Sequence, residues 1–191
     1  LGDETGTWDC DIVLKVQRPT DEEMGRLKQG QILIDMLDPY NAKDQVPAYA
    51  KAGVSAFALE LLPRTTRAQA MDVLSSQANL AGYKALVDAM AGYARGLPMM
   101  MTAAGTVTPA KVFIVGAGVA GLQAIATARR LGAQVSATDV RSATKEQIQS
   151  LGAKPIFVEG VAGIEGEGTG GYAGETSEEY RAAQAELVAG H

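Results

Sequence analysis

The chain has 191 residues, 47% apolar and 20% charged, so it can bury one good core or two small ones and is expected to be globular. Its formal net charge of -5, without a block of basic residues, argues against nucleic acid or an anionic membrane surface as a partner. With 22 glycines and only 5% aromatic residues, the composition favours tight strand-to-helix turns over an aromatic-rich β-sandwich.

The sequence also argues against a metal site and a membrane span. Cys10 is the single cysteine, with no second sulfur or histidine nearby to share a metal ion, so we expect neither a disulfide nor a metal. The longest apolar run, from Val112 to Ala128, is interrupted by glycines and falls short of the about 18 residues that a membrane helix needs.

The first 60 residues alternate β-branched runs with helical segments. We predict strands over 11–16, 31–36 and 54–60, a helix from Thr20 with Glu23 completing a capping box and Gly30 as its stop, and a helix over 43–51 ended by Gly53. Such alternation is typical of parallel βαβ units. Residues 1–73 are therefore predicted to be the C-terminal part of a first α/β domain.

A long helix is predicted from about Leu74, because apolar residues recur at helical spacing from Leu80 to Ala94. Residues 96–109 contain Met, Thr and Gly and are interpreted as a linker. We therefore expect residues 74–109 to connect two domains.

Residues 110–191 are predicted to be the first half of a Rossmann-like domain. The expected elements are strands over 111–115, 134–138 and 154–158, helices over 119–131 and 144–151, and a last helix capped by residues 176–179. Residues 159–175 contain seven glycines and are predicted to form a surface loop. Because the chain stops while a helical pattern is running, we expect truncation at both ends of a doubly wound α/β protein.

Gly116, Gly118 and Gly121 form a G-x-G-x-x-G pattern that follows an apolar strand and opens a helix. Asp139 lies 18 residues after Gly121, at the end of the next predicted strand. In a dinucleotide-binding turn the first glycine permits the turn, the second lets the pyrophosphate approach, and the third lets helix and strand pack. Glycines that serve only close packing are the alternative.

The start of the predicted helix suits a pyrophosphate. The amides of Val119 and Ala120, together with the helix dipole, would bind the phosphates without a lysine. Asp139 can accept hydrogen bonds from the adenosine ribose and would repel a 2'-phosphate, so NAD(H) is preferred over NADP(H). Arg141 leaves the choice between NAD(H) and NADP(H) open, since it could contact a 2'-phosphate, pair with Asp139 or stack on adenine.

The polar segment 64–72 lies between the last strand of the first domain and the long helix. It is either a solvated loop in which Asp72 or Ser75 caps the helix, or a nicotinamide site in a cleft between the domains, where an arginine, an amide and a carboxylate converge.

Two blocks of sequence resemble the NAD(H)-binding component of proton-translocating nicotinamide nucleotide transhydrogenase, in the alanine dehydrogenase/transhydrogenase family. The first is Pro63-Arg64-x-x-Arg67-Ala68-Gln69-x-Met71-Asp72-x-Leu74-Ser75-Ser76-Gln77-x-Asn79-Leu80-Ala81-Gly82-Tyr83. The second runs from Thr102 to Val112, through the glycine turn, to Ala137-Thr138-Asp139-Val140-Arg141. The resemblance extends from about Val13 to Gln184.

The resemblance implies roles for individual residues. At the nicotinamide end it implies catalytic roles for Arg64, Gln69, Asp72 and Ser75, and cofactor contacts for Thr65, Thr66, Ala70 and Met71. At the pyrophosphate and adenosine it implies cofactor contacts for Gly116, Gly118, Val119, Ala120, Gly121, Asp139, Val140 and Arg141. Gly171 and Tyr172 would lie on a loop that closes over the nucleotide, and Gln184 would line the adenosine side.

The activity implied by the resemblance is direct hydride transfer from NADH here to NADP+ on a partner domain, coupled to proton movement through a membrane domain. It also implies a homodimer at full length, in the cytoplasm and held at the inner membrane by partner subunits. Alanine dehydrogenase is the nearest alternative, because Lys15 matches its substrate lysine, but this chain has Leu37-Asp38-Pro39-Tyr40 where that enzyme carries a histidine. A non-catalytic NAD-binding module is the third interpretation.

Overall fold

A computed structural model describes residues 6–63, 65–158 and 176–191. The chain divides into two compact units, Leu1–Ser76 and Gln77–His191. In each unit a three-stranded parallel sheet is connected through helices, which confirms the α/β prediction.

In the first unit the strands lie in chain order. They are β1 (Ile12–Leu14), β2 (Ile32–Asp35) and β3 (Ser55–Ala58), connected through α1 (Asp21–Met24) and α2 (Gln45–Ala52), with 3-10 turns at Gly6–Trp8, Leu59–Leu61 and Ala68–Met71. The core of this unit consists of Val13, Leu33, Leu37 and Tyr49. Short parallel strands with helical crossovers bring the carboxyl ends of all three strands to one edge of the sheet.

Helix α1 confirms the predicted capping box but is shorter than predicted. The Thr20 hydroxyl accepts from the amide of Glu23, and the Glu23 carboxylate accepts from the amide of Thr20. The helix ends at Met24 rather than near Gly30 because the buried Gln31 side chain accepts from the amide of Lys28 and holds this stretch in a turn. The predicted role of Gly53 is confirmed, since it ends α2 in the left-handed conformation with φ 69°.

The second unit contains most of the long helix and the fingerprint. Its elements are α3 (Val73–Ala91, whose first residues belong to the first unit), β4 (Met100–Thr102), β5 (Gly105–Val107), β6 (Lys111–Val115), α4 (Val119–Arg130), β7 (Gln134–Thr138), α5 (Thr144–Ser150), β8 (Lys154–Pro155) and α6 (Glu178–Ala189). Strands β6, β7 and β8 are parallel in that order. Fully buried side chains of Ile125, Ala137 and Ile148 lie at the centre of the core.

The predicted linker contains an antiparallel hairpin of β4 and β5 that the sequence analysis missed. Its two-residue turn, Ala103-Ala104, lacks the Gly or Asn residues by which such hairpins are usually predicted. Strand β8 is shorter than predicted, and Pro155 has no amide hydrogen with which to extend the ladder.

Candidate functional site

The turn between β6 and α4 has the geometry that the glycine pattern predicts. Gly116 has φ 98°, a left-handed conformation that favours glycine, and its amide donates to the Thr138 carbonyl at 2.8 Å. A Cβ on Gly121 would lie 1.8 Å from the Gly116 carbonyl oxygen, so helix and turn are in direct contact there. By contrast, the nearest atom to a Cβ on Gly118 would be Nη2 of Arg141, at 3.9 Å.

Close contact within the protein therefore does not require a glycine at position 118, because there is space for a side chain there. A glycine needed only for close contact would have backbone atoms against it, as Gly121 has, whereas the space beside Gly118 can admit a ligand. Close packing explains why position 121 is a glycine, and it does not explain why position 118 is one.

The amino end of α4 is open to a ligand. Its N-cap is Gly118, which has no side chain with which to cap the helix. Val119 and Ala120 are the first helical residues, and Val119 is 42% exposed. Because the first amides of a helix lack intrahelical partners and carry the positive end of the dipole, this end can bind an anion.

Asp139, the first residue after β7, lies against this turn. Its Oδ2 accepts from the amide of Ala117 at 2.6 Å, and its Oδ1 accepts from the amide of Arg141 at 2.8 Å. The Arg141 guanidinium completes an ion pair, with Nε 3.0 Å from Oδ1 and Nη2 3.1 Å from Oδ2. Of the three roles that the sequence left open for Arg141, the structure therefore shows pairing with Asp139.

The carboxylate of Asp139 is only 6% exposed. Burial acts to raise its pKa, but the hydrogen bonds from Arg141 and from the Ala117 amide outweigh burial and lower the pKa below its usual value. Asp139 is therefore ionised at neutral pH and can act only as a hydrogen-bond acceptor.

Helix α6 places a residue beside Asp139 that the sequence analysis missed. The buried hydroxyl of Tyr180 donates to the Asp139 backbone carbonyl at 3.5 Å. Burial, and then the charge of Asp139, raise the pKa of this tyrosine. Gln184 is half-buried one turn further along α6, so the predicted adenosine residue lies on the helix face that carries Tyr180.

The segment before α3 in the first unit shows a helix cap. Asp72 accepts from the amide of Ser75 at 2.9 Å through Oδ1 and from its hydroxyl at 2.6 Å through Oδ2. Thr65, Thr66, Gln69, Ala70 and Met71 are exposed. The structure thus supports the capping role of Asp72 while leaving five of the predicted contact residues accessible.

Three of the predicted site residues, Arg64, Gly171 and Tyr172, lie outside the described residues. Val140 is half-buried between Asp139 and Arg141.

Lys15, the residue on which the alanine dehydrogenase alternative depends, is held by its own unit. Its ammonium group forms an ion pair with Glu23 and lies 5.4 Å from the ring centre of Trp8. In the stretch Leu37-Asp38-Pro39-Tyr40, where the alternative would need a histidine, Asp38 donates its amide to Glu60 at 2.7 Å. In the described part of the unit, the lysine thus forms structural contacts and has no imidazole beside it.

Clusters of metal-ligand side chains and membrane-spanning helices are both absent from the described ranges. Within them, no three His, Cys, Asp or Glu side chains are grouped as metal ligands, and no helix has the length and apolar character of a membrane span.

Comparison with models of protein families identifies the family of the chain. The alanine dehydrogenase/PNT N-terminal domain matches residues 1–81, and the alanine dehydrogenase/PNT C-terminal domain matches residues 85–190. The chain belongs to the alanine dehydrogenase/PNT family. The family resemblance seen in the sequence is therefore confirmed.

Members of this family named as transhydrogenases are highly similar to the chain. It is 55% identical over 184 residues to a Rhodospirillum rubrum protein named as a part of NAD(P) transhydrogenase subunit alpha, covering 94% of this chain and 48% of that protein. A solved transhydrogenase structure from Sinorhizobium meliloti has a TM-score of 0.82 at 55% identity, covering 100% of this chain and 50% of that chain. The chain spans about half the length of the relatives it matches.

A family member named alanine dehydrogenase is more distant. The Mycobacterium tuberculosis protein of that name is 31% identical over 144 residues, covering 73% of this chain and 38% of that protein. A solved L-alanine dehydrogenase with a TM-score of 0.64 at 24% identity has the same fold.

Proposed function

We propose that this chain is the NAD(H)-binding part of a proton-translocating nicotinamide nucleotide transhydrogenase. The observation that carries the proposal is the exposed amino end of α4, whose N-cap Gly118 has no side chain and lies beside open space, with ionised Asp139 against the same turn. The 55% identity to the Rhodospirillum rubrum relative, which is named for NAD(P) transhydrogenase subunit alpha, supports this choice within the family.

The residues of the second unit fit a dinucleotide. The amides of Val119 and Ala120 would bind the diphosphate, which can approach because Gly118 has no side chain. Asp139 would bind the adenosine ribose, and Val140, Arg141 and Gln184 would line the adenosine. The ionised state of Asp139 disfavours a 2'-phosphate, which supports NAD(H) as the nucleotide.

The loop before α3 would bind the nicotinamide end. When bound, NADH supplies a hydride from its reduced ring, and NADP+ on a partner domain accepts it. Hydride transfer between two nicotinamides needs positioning and water exclusion rather than a proton donor. Gln69 and Asp72, together with Arg64 and Ser75, would therefore act by orienting the ring and its carboxamide.

The proposed partners follow from the same similarity. We propose that the complete protein is a homodimer that works with an NADP(H)-binding domain and a membrane domain, and that these hold it at the cytoplasmic face of the inner membrane.

The deciding experiment gives full-length protein NADH together with either an NADP+-loaded partner domain or pyruvate and ammonium. Reduction of NADP+ supports the proposal, and alanine formation contradicts it in favour of an alanine dehydrogenase. NADH binding without either reaction would support a non-catalytic module. Gly118→Ala should lower the rate of NADP+ reduction by weakening NADH binding. The Gly92→Ala control should retain the rate, because a Cβ at Gly92 has no atom closer than 3.7 Å and lies outside the proposed site.

A further inference from the structure

The carboxylate of Asp139 has four hydrogen-bond donors in the described residues. Oδ1 accepts from the amide and Nε of Arg141, and Oδ2 accepts from the Ala117 amide and Nη2 of Arg141. A carboxylate has about four acceptor positions. While the ion pair is closed, a ribose hydroxyl therefore has no acceptor position left at Asp139.

Two of these donors are fixed by the backbone. The Ala117 amide follows Gly116, whose own amide is bonded to Thr138. The backbone of Arg141 is held at its carbonyl, which accepts from the amide of Thr144 at 3.1 Å and from its hydroxyl at 2.7 Å. The two amides can therefore stay on Asp139 whatever else binds there.

The other two donors belong to the Arg141 guanidinium, at the end of a long side chain that is 15% exposed. A ribose diol carries two hydroxyl donors, the same number that the guanidinium contributes. Nη2 of Arg141 also lies 3.9 Å from the position of a Cβ on Gly118, so the guanidinium is beside the glycine at which we place the diphosphate. The same group thus covers the acceptor positions and the neighbouring space.

We propose that the Arg141 guanidinium takes the place of the adenosine ribose diol when the site is empty, and that the diol displaces it on binding. Arg141 is then a residue that competes with the nucleotide and tunes its affinity, rather than a permanent contact. This inference rests on the proposed function, because it requires a ribose at Asp139.

The exchange can be followed at the Arg141 Nε–H resonance. Full-length protein with ¹⁵N-labelled arginine is titrated with NADH, and the resonance is assigned by its loss in Arg141→Lys. We expect a large shift of this signal at saturating NADH, because Nε leaves a carboxylate. An unchanged Nε–H signal in protein that has bound NADH would overturn the inference alone, whereas absence of NADH binding would overturn the proposed function with it.

Affinity gives a second readout. Arg141→Lys keeps the positive charge but lacks the planar fork that covers both oxygens. We expect its Kd for NADH to fall by about threefold or more, since fewer hydrogen bonds must be broken. Arg130→Lys, at the exposed far end of α4, should leave the Kd unchanged. A higher Kd in Arg141→Lys would show that the arginine assists the nucleotide, contrary to the inference.

Discussion

Gly82 of α3 lies directly against the backbone of Ala120 in the first turn of α4: a Cβ on Gly82 would be 2.0 Å from the Ala120 carbonyl oxygen. The long helix therefore supports the helix end at which we place the diphosphate. The contact is between two backbones, so a side chain at position 82 cannot be accommodated by a change of rotamer.

Gly82→Ala should displace the first turn of α4. We expect a loss of about 1–3 kcal/mol in the free energy of unfolding, the usual range for overpacking, together with weaker NADH binding. Denaturant unfolding and NADH titration measure the two effects. Gly92→Ala is the control, and equal behaviour of the two variants would contradict this account of the contact.

Substituting the glycines of the turn one at a time should distinguish an effect on folding from an effect on NADH binding. Gly121→Ala forces a Cβ against the Gly116 carbonyl and should destabilise the unit, whereas Gly118→Ala should fold normally, because its φ of -76° is open to alanine. We expect Gly118→Ala to lose NADH affinity by about tenfold or more, as its methyl group fills the space for the phosphate. Normal NADH affinity in a folded Gly118→Ala protein would count against this placement.

The sequence predicted this turn well because its signals are local. Glycines mark the approach to α4 and its first turn, and β7 was predicted with the bounds that the structure shows. Tyr180 was missed because its contact with Asp139 spans 41 residues and leaves no local pattern. The partner of Arg141 stayed open because pairing, stacking and phosphate contact are all compatible with the same residue types.

Asp72 has two separable roles, as a helix cap and as a proposed nicotinamide contact. Asp72→Asn keeps one acceptor oxygen for Ser75, so we expect a loss of stability below about 1 kcal/mol. Removing its charge should lower the rate of NADP+ reduction by about tenfold or more if it orients the ring. Asp88→Asn, on the exposed face of α3, is the control for both measurements. An unchanged rate in Asp72→Asn would leave Asp72 as a cap alone.

Asp35 should make the first unit less stable as the pH rises. Its carboxylate is fully buried at the end of β2 without a hydrogen-bond partner among the described residues. Burial raises its pKa to about 6; the nearby Lys15 opposes this, and the carboxylates of Glu60 and Glu23 add to it. Sequence reasoning missed it, because a polar residue at a strand end gives no sign of its burial.

A carboxyl with a raised folded pKa binds more protons folded than unfolded, so its contribution is present below about pH 4 and is lost as the pH rises through about 6. We expect a fall of about 2–3 kcal/mol across this window. Unfolding followed by the fluorescence of Trp8 reports on this unit, and the fall should vanish in Asp35→Asn. Asp44→Asn, an exposed control, should retain it. The same pH dependence in Asp35→Asn would assign the effect to another group.

The most direct test of the account is a crystal structure of the full-length protein with NADH bound. The account predicts diphosphate oxygens within about 3 Å of the Val119 and Ala120 amides, with the adenosine ribose on Asp139. A diphosphate bound elsewhere, with protein side chains closing the amino end of α4, would contradict it.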